Sequence, residues 1–176
     1  AARECVEASK GVPVISFGAQ HVHPNVAHIM DYAAIVGGCT ACSTPLGAKL
    51  AGVTPIGSMS HAYVLCIGDL VKAAHLFDKH IPPEVPRMAL VGTLKDEVEE
   101  SLRVAGALRD KLHAIQLDIP AERGYVTPKL VNEVRAHLDL HGFKGVGIFV
   151  GGGLTPERIN EFVRASAPVI GFGVDS

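Results

Sequence analysis

The chain has 176 residues, 48% of them hydrophobic, with 19 Gly, 11 Pro and a formal net charge of −2. That is enough chain for one domain with a sizeable core, and its scattered Lys and Arg lack the basic footprint of a nucleic-acid binder. The longest apolar runs contain Gly, His or Asp and fall short of a membrane span, and no apolar leader-like segment follows Ala1-Ala2-Arg3-Glu4-Cys5, so a cytoplasmic protein is expected.

Ala1 to Ser9 reads as the middle of a helix, and with no initiator methionine before it the chain is expected to be a piece of a longer protein. Val12–Phe17 and Ala34–Val36 are the first two strand candidates. Cys39-Thr40-Ala41-Cys42 follows as a lone CxxC. A zinc site would need a second ligand pair, and a redox site would want the motif at a helix start after a strand. Gly37-Gly38 and the small residues around the motif fit a packed turn better, so Cys5, Cys39, Cys42 and Cys66 are expected to be buried, reduced and structural. Pro55–Met59 is the third strand candidate, and Ala62–Lys79 a long apolar helix. Met88–Val91 is the fourth strand. Asp96–Leu112 follows as a helix with Val98, Leu102, Ala105, Leu108 and Leu112 on one face and Glu99, Glu100, Arg103 and Lys111 off it. After a fifth strand at Ala114–Leu117, Thr127 caps a helix over Pro128–Leu140 that buries Val131, Val134 and Leu138. Gly145–Val150 is near-continuously apolar or Gly, as strands covered on both faces are. Thr155 then caps Pro156–Ala165, with Ile159, Phe162 and Val163 inward, before a last strand at Val169–Val174.

Repeated βα units imply a parallel sheet with right-handed crossovers. The expected fold class is α/β: an irregular, incomplete (β/α) barrel of about seven mostly parallel strands, forming one domain over residues 1–176. A doubly wound open sheet is the alternative, although no GxGxxG follows the first strand.

Side chains at the C-terminal ends of barrel strands face the site. Gly151-Gly152-Gly153 and Gly171-Phe172-Gly173 end two successive strands, the first opening a helix. Glycine allows close backbone approach and a helix start offers free N–H groups, which together suit a phosphate; the plainer reading is a pair of tight turns. His61, after Gly57-Ser58-Met59-Ser60, is either a general base, a phosphate partner or hydrogen-bond donor, or a helix-start histidine without a role. His21 and His23 form an HxH that lacks a third ligand at a known spacing. Asp118 either meets Mg²⁺ or a ribose hydroxyl, or caps its loop. Arg123 either meets a phosphate or lies on the surface.

In order along the chain, Phe17-Gly18-Ala19-Gln20-His21-Val22-His23-Pro24, Leu46-Gly47-Ala48-Lys49-Leu50, Pro55-Ile56-Gly57-Ser58-Met59-Ser60-His61-Ala62, Val91-Gly92-Thr93-Leu94-Lys95-Asp96-Glu97, Gln116-Leu117-Asp118-Ile119-Pro120, Phe149-Val150-Gly151-Gly152-Gly153 and Gly171-Phe172-Gly173-Val174 resemble nicotinate phosphoribosyltransferase, of the type II phosphoribosyltransferase group. The resemblance implies an irregular α/β barrel that joins nicotinate to 5-phosphoribosyl 1-pyrophosphate (PRPP), giving nicotinate mononucleotide and pyrophosphate for NAD synthesis. It implies Mg²⁺, coupling to ATP hydrolysis, and a homodimer or larger oligomer whose sites are built with a neighbouring subunit. It implies His61 as the phosphorylatable histidine, Asp118 as the acid near ribose and metal, and Gly152, Gly153, Gly171 and Gly173 as phosphate-binding glycines. Gln20, His21, Gln116 and Arg123 are expected to contact substrate.

The chain departs from the family pattern at strand ends. Gln20 and Gln116 stand where the family usually has Arg, Gly92 where it has Asp, Ile119 for Thr, Gly151 for Ser and Asp175 for Gly. Each lost Arg removes charge-assisted contacts of roughly 1.5–3 kcal/mol. A non-catalytic relative with an eroded site is therefore the alternative function, and an unrelated sugar-phosphate barrel a third. The family's chains are longer, with an N-terminal domain and further C-terminal segments, so this chain is expected to need other polypeptide to complete its site.

Overall fold

The glycine-rich apolar runs and the amphipathic periods between them resolve into six parallel strands and eight α-helices in a computed structural model that describes residues 1–175. In chain order these are α1 (Ala2–Ala8), β1 (Val14–Ser16), α2 (Pro24–Val36), β2 (Ala41–Cys42), α3 (Pro45–Ala51), α4 (His61–Ile67) and α5 (Leu70–His80). β3 (Arg87–Val91), α6 (Glu97–Leu108), β4 (Leu112–Asp118), α7 (Pro128–Leu140), β5 (Gly147–Gly151), α8 (Pro156–Arg164) and β6 (Gly171–Val174) complete the order. The sheet runs β2-β1-β6-β5-β4-β3 and curls into a half-barrel. The incomplete α/β barrel expected from the sequence is therefore present, with six strands among the described residues rather than about seven.

Strand alternation divides each strand between two cores. Outward residues such as Val14, Val91, Ile115, Leu117, Ile148, Val150 and Phe172 pack under the helices in the larger apolar cluster. Inward residues Ile15, Ala41, Met88, Ala114 and Phe149, with Phe17 and Ile56 against them, fill the barrel. Phe17 and Phe149 meet edge to face at 5.9 Å between ring centroids. Their rings explain the glycines of β6: a Cβ on Gly171 would lie 2.7 Å from Phe149, and one on Gly173 2.6 Å from Phe17.

Several sequence expectations are corrected. Ala34–Val36 is the end of α2, whose helix starts at Pro24 with the His23 imidazole capping the Asn25 N–H; three apolar residues cannot by themselves distinguish a strand from a buried helix turn. Pro55–Met59 is extended but is not a ladder strand. It runs beside edge strand β2, where the Ile56 N–H donates to the Cys42 carbonyl at 3.0 Å, and its Ile56 plugs the inner core. Ala62–Lys79 is broken at Gly68, which takes φ +78, and Asp69 caps the new helix α5. The helix expected over Asp96–Leu112 ends at Leu108. A 3₁₀ turn follows over Arg109–Lys111, and Leu112 opens β4. Glu100, expected off the apolar face, is fully buried. Of the cysteines all four are free, and Cys5, Cys39 and Cys42 are buried as expected, but Cys66 is exposed on α4.

Buried Asp31 of α2 joins three elements. Its carboxylate accepts from the Ser16 hydroxyl of β1 at 2.8 Å, from the Ser43 hydroxyl at 3.4 Å and from the Thr44 N–H ahead of α3 at 2.8 Å. α7 and α8 bury Val131, Val134 and Leu138, and Ile159 and Phe162, as their periodicity predicts; Val163 is only partly covered.

Candidate active site

The C-terminal ends of the strands open on a cavity of about 540 Å³. Because inward positions alternate, Gln116 and Asp118 of β4, Gly151 of β5 and Gly173 of β6 all point into it. Gln20, from the 3₁₀ turn Gly18–His21 after β1, lines its mouth, and His61, the first residue of α4, its side. Gly152 completes the turn out of β5 and Asp175 the exit from β6.

Asp118 is the most perturbed acid of this group. Burial pushes its carboxyl above the usual carboxylate range and Asp175 pushes it further, while His61 and a hydrogen bond from the Gln116 amide, at 3.5 Å, pull it back. Gly152 has to be glycine at this place: its φ is +82, and a Cβ would lie 2.5 Å from the Asp118 Oδ1. Gln116 is buried, and its amide oxygen accepts from the Ser58 hydroxyl at 2.6 Å. The Pro55–Met59 segment thus reaches across the barrel interior to β4. His61 Nδ1 lies 2.9 Å from the Thr93 hydroxyl, on the loop after β3.

Six of the ten residues expected at the site therefore share one cavity: His61, Asp118, Gln20, Gln116, Gly152 and Gly173. His21, Arg123, Gly153 and Gly171 stand outside its walls. The exposed Arg123 pairs with buried Glu97 at 2.9 Å and donates weakly to the Gly92 carbonyl at 3.4 Å, so it straps the β4–α7 loop to the β3–α6 loop. Gly153, at φ +58, lies against Tyr125, and Gly171 against Phe149 deep in the barrel. Thr93 and Ser58, which hold His61 and Gln116, lie within the quoted motifs but were not singled out there as site residues. Their roles arise between loops.

Among the described residues no Lys or Arg lines this cavity, so His61 is its one basic side chain, facing Asp118 and Asp175. No group of three or more His, Cys, Asp or Glu with metal-site geometry occurs among the described residues. Two carboxylates suit a hard divalent cation that also takes oxygens from its substrate and from water, as Mg²⁺ does. The same carboxylates would favour positive charge developing nearby, and the Gly151-Gly152 turn after β5 can bring backbone N–H groups close to an anion.

Comparison with known proteins agrees with this fold. Over 176 aligned residues the chain is 30% identical to a nicotinate phosphoribosyltransferase of Mycobacterium tuberculosis, covering 98% of this chain and 37% of that protein. The solved nicotinate-nucleotide pyrophosphorylase of Pyrococcus furiosus is 44% identical with a TM-score of 0.92, over 99% of this chain and 44% of that one. Human nicotinic acid phosphoribosyltransferase shares the fold, with a TM-score of 0.76 at 14% identity, over 99% of this chain and 46% of that one. The chain thus spans less than half the length of these relatives. Residues 1–175 match the family described as quinolinate phosphoribosyl transferase, C-terminal domain, and the chain belongs to that family, as the barrel domain of a type II phosphoribosyltransferase.

Proposed function

We propose that the chain is the barrel portion of an enzyme that transfers the phosphoribosyl group of PRPP to nicotinate, releasing pyrophosphate, for NAD synthesis. The observation that carries this reading is the convergence of Asp118, Gln116, His61 and the Gly151-Gly152 turn on one cavity at the strand ends of a barrel from this family. The choice of nicotinate follows the 30% identical Mycobacterium tuberculosis relative, which is named a nicotinate phosphoribosyltransferase, whereas the family model carries the name of quinolinate.

Asp118 and Asp175 fit Mg²⁺, which when bound would offset the charge of pyrophosphate as it leaves. The chain's own groups do the rest. As the bond from C1 of the ribose to pyrophosphate breaks, positive charge builds on the sugar ring, and the Asp118 carboxylate is placed to stabilise it. Gln116, fixed by Ser58, has its amide nitrogen turned to Asp118 and holds that carboxylate in place. The Gly151-Gly152 turn after β5 and the glycine-lined end of β6 cradle the phosphate ends of the substrate. His61, held at Nδ1 by Thr93, is the group through which ATP would act if the chain follows the family's coupling. Segments outside this chain, and a second subunit in a dimer or larger oligomer, complete the site.

A second reading, a non-catalytic relative that binds a phosphorylated ligand, is favoured by one observation: two acids face each other where anions should sit, with Gln at both positions where the family usually carries Arg. Titration calorimetry with PRPP plus Mg²⁺, followed by a pyrophosphate-release assay with nicotinate and with quinolinate, both on the assembled protein that includes the segments completing the site, separates them. The first reading expects PRPP binding and release with nicotinate above that with quinolinate. Binding without release with either base would support the second, and faster release with quinolinate would reverse the assignment of the base.

A further inference from the structure

α6 carries an acid that the reading above leaves without a purpose. Glu100 is fully buried, and a carboxylate in a core is costly unless its oxygens are satisfied. Its Oε2 accepts two backbone donors, the Gly92 N–H at 2.8 Å and the Thr93 N–H at 3.1 Å. Its Oε1 has no hydrogen-bond partner among the described residues. Glu97, one turn earlier, faces the same loop, but it is paired with Arg123 and holds neither N–H. One oxygen of Glu100 is therefore what fixes the backbone where the chain leaves β3. Gly92 makes this possible with φ +85, which turns both N–H groups toward the helix.

The loop so fixed has one polar contact with the cavity. The Thr93 side chain, on the same residue as the pinned amide, places its Oγ1 2.9 Å from His61 Nδ1. The Thr93 hydroxyl can donate to Nδ1 or accept from it, so the contact holds the ring in one orientation whichever tautomer is present. With Nδ1 engaged, Nε2 is the nitrogen left to the cavity. We propose that Glu100 is a positioning residue: through the Gly92 and Thr93 amides it sets the Thr93 hydroxyl on His61 Nδ1 and so holds the imidazole ring with Nε2 toward the substrate. This deepens the proposed function and rests on it only for the role given to His61.

Carbon-13 relaxation of the His61 ring C–H groups in the uniformly labelled chain, at one fixed pH, reads how firmly the ring is held. An ordered ring is expected in the native chain. Glu100→Gln keeps an oxygen that can accept both N–H groups, so it should retain that order. Glu100→Leu and Thr93→Val should each leave the ring mobile, and combining the two should add nothing further. In an active preparation both should lower kcat by roughly tenfold to a hundredfold with little change in KM for nicotinate, as expected when a reacting group loses its orientation. A folded Glu100→Leu chain with the His61 ring as ordered as in the native chain would overturn the proposal. Should that variant not fold, amide hydrogen exchange in the native chain decides: protection of both Gly92 and Thr93 supports the proposal, and rapid exchange of both overturns it. The relaxation readings need no turnover, so absence of transferase activity would count against the proposed function and leave the role of Glu100 tested.

Discussion

At Asp118 burial and three neighbours, His61, Asp175 and Gln116, act on one proton. Because burial and then Asp175 raise its pKa in the fold, the protonated form costs the structure nothing, and the cost appears as pH rises through the raised value. Asp118→Asn removes that cost while keeping the shape. In metal-free buffer the variant should melt above the native chain at pH 7, with the gain fading as pH falls toward the ordinary carboxylate value of 3.8. Melting curves at several pH values test the sign; a variant that melts lower throughout would contradict it. The thiols give a second residue-scale prediction. Burial pushes Cys39 up to about 11 and raises Cys5 and Cys42 as well, whereas Cys66 is exposed. Brief alkylation of the native chain at neutral pH should therefore modify Cys66 alone, read by peptide mass spectrometry. Prompt labelling of Cys39 and Cys42 would revive a redox role for the CxxC.

Between elements, close approach matters more than propensity. α2 and α3 pack so tightly that a Cβ on Gly47 would lie 2.6 Å from Thr44 Oγ1 and 2.8 Å from the Asp31 Cβ. Gly47→Ala adds helix propensity in α3, yet it must push apart the Asp31 network that joins β1, α2 and the start of α3. The steric cost should win, with a net loss of about 1–3 kcal/mol in urea unfolding; an increase in stability would show the contact to be looser than this. The turns legible in the sequence were those with local causes. Thr127-Pro128 and Thr155-Pro156 start α7 and α8 because cap and N1 proline act within one turn. Gly68 ends α4 by the same local logic, but the apolar pattern runs on across it, so one long helix was expected where there are two.

For the molecule as a whole, the sign of the cavity is the dominant constraint. The net charge is only −2, yet the acids that matter, Asp118 and Asp175, are concentrated at the strand ends without a Lys or Arg in the described walls. A polyphosphate alone would meet like charge there. PRPP binding should therefore depend on Mg²⁺, falling by tenfold or more when the cation is chelated, for each roughly 1.4 kcal/mol of repulsion uncovered. Equal affinity in chelator, by calorimetry, would mean that backbone N–H groups alone carry the anion. No helix among the described residues is long and apolar enough to cross a membrane.

The sequence by itself determined an α/β fold with a parallel sheet, because strand, cap and glycine signals are local and their order imposes right-handed crossovers; that the sheet curls as a half-barrel rather than lying open was decided by the tertiary structure. It also singled out Asp118, Gln116 and Gly152 at or just after strand ends, and His61 at the start of α4, all of which line the cavity. Only the tertiary structure decided that Arg123 pairs with Glu97 outside the cavity, that Gly171 makes room for Phe149, and that Pro55–Met59 bridges instead of pairing. It alone revealed the buried Glu100 behind Thr93 and His61. Each of these depends on contacts between segments distant in the chain, where neither periodicity nor propensity carries information, and where packing and the need to satisfy buried polar groups choose the outcome.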